Sequence, residues 1–198
     1  MSSSTIEGTT LKGNMNNNLP ELKAFKRAPS LGLSQWENGN LATNLAEKKD
    51  TNGAFFLVEA TLAPGTEPPP HLHTREDELF YVLEGEFEVY VGEKAFNVTA
   101  WECVFLPRYK PHAFVIRSPR LHVLALFTPA GLEEVFRGTG AVTYSTGNLK
   151  QTAQRLFEYG ACFLTADEIA DQLPLYPKSL PPNARKLMVE EKLEERNK

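Results

Sequence analysis

From Ala54 to Phe127 the chain is a succession of short apolar or alternating segments, rich in Val, Phe and Tyr and each ended by turn residues. They read as strands over Ala54–Leu62, His71–His73, Glu78–Leu83, Glu86–Val91, Lys94–Val98, Glu102–Leu106, Ala113–Arg117 and Leu121–Phe127. Gly92-Glu93 separates two of them as a tight hairpin turn. No helical periodicity interrupts the series. A parallel sheet with helical crossovers is therefore excluded, and a β-sandwich or barrel remains.

The flanks differ from this block. Residues 1–20 are Ser-, Thr-, Gly- and Asn-rich with little apolar surface, the composition of a mobile arm. Residues 21–53 read as an ordered but irregular lead-in that packs on the barrel or on a partner subunit. Trp36, Leu41 and Leu45 are its spaced anchors, with turn dipeptides at Asn38-Gly39 and Asn52-Gly53. Residues 54–130 form the β unit. Beyond Pro129 the period becomes helical, so 131–198 reads as a helical appendage, with helices over Leu132–Phe136, Gln151–Tyr159 and Ala166–Leu173 and a charged tail from Arg185 to Lys198. Thr165 and Glu168 have the spacing of a capping box. The expected fold is mainly β, a barrel with a short helical C-terminal appendage.

Charge and composition narrow the function classes. The formal net charge is −4 and the pI about 5.7, so no basic footprint for nucleic acid exists. A composition of 41% hydrophobic and 23% charged residues is that of a soluble globular protein. Apolar runs such as Ala54–Val58 are far too short to span a membrane. Residues 1–20 carry no apolar core of a secretory signal, so a cytoplasmic protein is expected. Cys103 and Cys162 are too few for a disulfide framework or zinc cluster; Cys103 is expected to be a small buried residue and Cys162 structural.

All four histidines, His71, His73, His112 and His122, fall in the strand-rich block. His71 and His73 are two apart and share one face of a strand. Glu78 opens the next strand after the polar turn Thr74–Asp77, and His112 opens a later one behind Pro111. Three imidazoles and one carboxylate suit one divalent first-row transition ion per chain, any of Fe, Mn, Co, Ni, Cu or Zn. Four protein ligands leave positions open on a six-coordinate ion, which is the arrangement of a catalytic site. His122 fits no pattern and reads as a satisfied core or rim residue. Phe80 and Val82 share parity with Glu78, and Phe114 and Ile116 with His112, so all four point into the barrel. They fill the core or wall an apolar substrate pocket. Phe87, Val89 and Val91 read as core, Tyr81 and Tyr90 face the other side, and Glu67, Arg75 and Asp77 read as surface residues. Pro68-Pro69-Pro70 is a stiff approach to His71.

These residues resemble the cupin family. The stretch from Gly65 through His71, His73 and Glu78 to Gly85 fits its first motif, G-x5-H-x-H-x4-E-x6-G, at every fixed position. The second motif, G-x5-P-x-G-x2-H-x3-N, keeps Pro107 and His112, while Trp101, Tyr109 and Ile116 stand in place of Gly, Gly and Asn. The segments Pro68–Gly85, Leu126–Phe136 and Leu156–Gly160 further resemble the bacterial single-cupin quercetin 2,3-dioxygenases. The resemblance implies a double-stranded β-helix and commonly a homodimer, with Trp36, Leu41 and Leu45 as candidate contacts. It also implies a small-molecule substrate and O2, with no nucleic acid and no membrane. In such an enzyme a flavonol oxygen binds the ion held by His71, His73, Glu78 and His112. Glu78, the catalytic residue, takes the proton. O2-dependent ring opening then releases carbon monoxide. Another metal-cupin enzyme (an isomerase, lyase or cyclase) and a non-catalytic binding cupin are the competing readings.

Overall fold

The computed structural model describes residues 22–29, 34–37, 40–137 and 149–177. The arm expected over 1–20, the Asn38-Gly39 turn and the charged tail from Arg185 lie outside them. Among the described residues eleven strands and four helices follow one another as β1 (Ser34–Glu37), β2 (Asn40–Ala46), α1 (Lys48–Thr51), β3 (Phe56–Leu62), β4 (His71–His73), β5 (Asp77–Glu84), β6 (Glu86–Val91), β7 (Lys94–Thr99), β8 (Cys103–Leu106), β9 (His112–Ile116), β10 (Leu121–Thr128), α2 (Glu133–Arg137), α3 (Leu149–Glu158), β11 (Ala161–Phe163) and α4 (Ala166–Gln172). The fold is mainly β, two antiparallel sheets of the double-stranded β-helix type. One sheet runs β1-β2-β3-β10-β5-β8 and the other β11-β4-β9-β6-β7. No helix among the described residues is long and apolar enough to cross a membrane.

Alternation builds the core. Along β10, Leu121, Val123, Ala125 and Phe127 are buried, and along β5 Glu78, Phe80 and Val82 are. β6 and β9 add Phe87, Val89, Phe114 and Ile116 from the opposite sheet. Phe80, Phe87 and Phe114 meet edge to face, with centroids 5.6 to 5.7 Å apart. Each such ring contributes about 1.5–3 kcal/mol by leaving water, so the three together rival a marginal domain's whole stability. A second cluster lies on the outer face of the smaller sheet. There Tyr90 and Ala113 are covered by Leu164, Ile169, Leu173 and Tyr176. Tyr90 thus faces away from the barrel interior and packs against α4 and the residues after it. The capping box of α4 is present: the Glu168 amide donates to Thr165 Oγ1, and the Thr165 amide to the Glu168 carboxylate at 2.7 Å.

Four sequence expectations are corrected. The lead-in is not irregular: β1 and β2 pair antiparallel, and β2 extends the larger sheet by pairing Leu41–Ala46 with β3. Nor is the C-terminal part purely helical, because β11 pairs with β4, setting Phe163 opposite His71 and Ala161 opposite His73. Cys103 is exposed; on the edge strand β8 only Val104 and Leu106 turn inward. Glu67 is buried at 3% exposure rather than on the surface. β4 meets β9 at one register pair, His71 with His112, and further along β9 the Glu67 Oε1 accepts from the Ile116 amide at 2.8 Å. The carboxylate stands in for a strand that three prolines, lacking N–H groups, do not continue.

Candidate metal centre

His71 and His73 flank Leu72 on β4, and strand geometry turns both imidazoles to the barrel side while Leu72 packs on the outer cluster. Pro70 fixes the approach, and its carbonyl is held by the Leu164 amide at 2.9 Å. Glu78 lies on the inward row of β5, beside Leu106 of β8 and Phe127 of β10. His112 opens β9 between His71 on β4 and Val91 on β6. Three strands from two facing sheets therefore deliver the four side chains to one end of the barrel. All four are buried, and one donor atom from each lies within 4.8 Å of the others.

The rings are aimed. His71 Nδ1 faces the Pro69 carbonyl and His112 Nδ1 the Lys110 carbonyl, each at 2.9 Å. Both contacts place N–H at Nδ1 and turn Nε2 inward. The Nε2 atoms of His71 and His112 are 3.3 Å apart. Glu78 Oε2 lies 3.5 Å from Nε2 of both His73 and His112. Burial lowers the His71 pKa well below the ordinary imidazole value, aided by the charges of His112 and His73. Burial would also lower His73, but Glu76 and Glu78 overcome it and raise the group to about 9. Burial would raise Glu78; hydrogen bonds from His112 and His73 outweigh it and hold the carboxyl well below the usual carboxylate range. Three inward nitrogens and a carboxylate converging on one buried point could hold a cation among them. Borderline imidazole nitrogens and one hard oxygen fit a divalent first-row transition ion.

The loop before His112 is latched to β5. Asp77 takes the Arg108 amide at 2.9 Å and the guanidinium at 3.0 and 2.7 Å, and the Tyr109 amide donates to the His73 carbonyl at 2.7 Å. Asp77 is thus a half-buried ion-pair residue rather than a free surface acid. Trp101 and Tyr109, the two residues in place of motif glycines, hold φ of 73° and 61°. The left-handed backbone is kept without glycine, with both side chains exposed.

The cupin domain family matches residues 58–128, from β3 to the end of β10. Residues 58–128 are a cupin domain. The chain is similar to quercetin 2,3-dioxygenase of Bacillus subtilis (strain 168), 24% identical over 96 residues, which cover 48% of this chain and 28% of that one. It thus spans little more than a quarter of that relative's length. Among solved structures it resembles KdgF from Halomonas sp., with 24% identity, a TM-score of 0.46 and coverage of 51% of this chain and 89% of that one. It also resembles the polyketide cyclase RemF from Streptomyces resistomycificus, at 26% identity and a TM-score of 0.44, over 53% of this chain and 80% of that one.

Around the centre of this cupin domain, two rings touch the imidazoles. Phe127 meets His73 with centroids 5.9 Å apart, and Phe163 meets His71 edge-on at 6.4 Å. Sequence reasoning placed neither at the site. Phe127 has the inward parity of its strand, a usable signal, whereas Phe163 arrives only through the pairing of β11 with β4. Phe80 and Phe114 lie one inward row deeper than Glu78 and His112, in the three-ring cluster. Val82 and Ile116 lie four residues along their strands from Glu78 and His112, about 13 Å by strand rise, within the main core. His122 faces away on the larger sheet and pairs with Glu59 at 2.7 Å.

Proposed function

We propose that the chain is a metal-dependent dioxygenase that opens a ring of a flavonol or a similar enolic or phenolic aromatic. The observation that carries this reading is the convergence of His71, His73, His112 and Glu78 on one buried point beside the rings of Phe127 and Phe163. Similarity to a quercetin 2,3-dioxygenase supports it. A first-row ion held by these residues supplies Lewis acidity toward an enolic oxygen and a means of engaging O2. Glu78, kept ionised, is the carboxylate of the four and receives the substrate's hydroxyl proton at Oε2. Phe127 and Phe163 press on the imidazoles, exclude water and offer flat faces to a planar substrate, with Phe80 and Phe114 as the floor and Val82 and Ile116 packed beneath it.

A panel of flavonols, catechols, β-diketones and small hydroxy acids tests the reading with metal-loaded protein in air. Oxygen uptake with bleaching of the flavonols is expected. Turnover of another class without oxygen uptake would replace the dioxygenase with an isomerase, lyase or cyclase, and binding without turnover would leave a ligand-binding cupin.

A further inference from the structure

The three histidines are not supported alike. His71 and His112 have their Nδ1 atoms on backbone carbonyls, fixed by the chain itself. His73 has no carbonyl there. Its Nδ1 is a buried atom with no hydrogen-bond partner, and so is Glu76 Oε2. The two face each other at 3.7 Å, with both side chains at most 4% exposed. That gap is slightly longer than a hydrogen bond, and a small rotation about the Glu76 side chain closes it. Leaving two buried polar atoms unsatisfied beside one another costs far more than that rotation.

We propose that Glu76 is the positioning residue of the centre: its carboxylate takes the His73 Nδ1–H and turns Nε2 toward the other three donors. A carboxylate is a stronger acceptor than a peptide carbonyl, so it also makes His73 the most electron-rich of the three imidazoles. Glu76 lies in the connection between β4 and β5, two residues before Glu78, so one short segment both supplies a ligand and orients its neighbour. The inference rests on the proposed metal centre and deepens it.

The test uses cobalt(II) on the full chain, with affinity read by chelator competition and geometry by the visible spectrum. Glu76→Ala is expected to weaken binding about 10- to 100-fold and to alter the cobalt spectrum. Glu76→Gln, isosteric and still an acceptor through its amide oxygen, should recover part of the loss. Glu67→Gln, a change at a buried carboxylate away from the centre, should leave the spectrum as it is. A folded Glu76→Ala with wild-type affinity and spectrum overturns the inference and leaves the metal centre standing. If Glu76→Ala does not fold, Glu76→Gln decides, and an unchanged affinity and spectrum overturns it likewise. Wild-type protein that takes up no cobalt overturns the metal centre itself and the role of Glu76 with it.

Discussion

His71 and His112 meet at the register pair that joins β4 to β9, and their Nε2 atoms lie 3.3 Å apart with both Nδ1 atoms committed to carbonyls. Two inward nitrogens at that distance, with the carboxylate of Glu78, could share one cation. Elemental analysis of protein grown with mixed transition metals is expected to find close to one ion per chain. His112→Ala should lose most of it, because one of three nitrogen donors disappears. Metal-free wild-type protein would contradict the centre.

Gly160 is where the C-terminal segment is fastened over the metal loop. Its carbonyl takes the Thr74 amide at 2.6 Å and the Thr74 hydroxyl at 3.1 Å. With φ at 93°, an added Cβ would stand 2.8 Å from Arg75 Cγ and 2.9 Å from Thr74 Oγ1. Gly160→Ala should destabilise the protein by about 1–3 kcal/mol through strain and overpacking. For a chain this size that lowers the thermal midpoint by roughly 2–12 °C. Metal affinity should fall as well, since residues 74–76 join His73 on β4 to β5, which carries Glu78. A melting curve and a chelator titration check both; no change in either would contradict the fastening.

Tyr109 and Trp101 hold left-handed φ with exposed side chains. The left-handed region costs a residue other than glycine about 1–2 kcal/mol. Tyr109→Val and Trp101→Val, β-branched, should therefore destabilise, whereas the two glycine replacements should be neutral or stabilising in urea melts. Equal effects of valine and glycine would show that these turns relax out of the left-handed region.

Asp50 and Asp77 have lowered pKa values, in each case chiefly through a hydrogen bond from arginine, Arg27 and Arg108 respectively. A carboxyl depressed in the folded state stabilises fully above its unfolded value and loses that contribution as pH falls through the folded one. The two ion pairs should accordingly keep their contribution to stability from neutrality down to about pH 4 and lose it below. Asp77→Asn, which removes the charge, should flatten the acid limb of a denaturation-against-pH curve. Both pairs are partly exposed, so the effect should shrink in high salt.

The barrel was legible because its strands carry their own signal. Along β5 and β10, inward residues alternate with outward ones, and Val, Phe and Tyr favour the pleat. That His71, His73, Glu78 and His112 come together was legible for the same reason, since period-two parity on β4 and the turn-flanked starts of β5 and β9 set their directions. β2 was not: Asn40–Ala46 has two Asn and two Ala beside its leucines and is a strand through its pairing with β3. β11 is three residues long and exists through β4, which is why Phe163 was missed. Glu67 defied its residue type because a carboxylate can satisfy a strand amide, and Cys103 because β8 is an edge strand with one uncovered face. Glu76 has no spacing that marks it; only the orphaned Nδ1 of His73 does.

The most direct test of the dioxygenase reading is the stoichiometry of oxygen consumed against flavonol lost by the metal-loaded chain. Equimolar consumption is predicted, with carbon monoxide released. Glu78→Gln should retain some metal yet lose this turnover, because an amide ligates weakly and cannot accept the proton. Flavonol that survives in air beside fully loaded wild-type protein, with no oxygen taken up, would contradict the account.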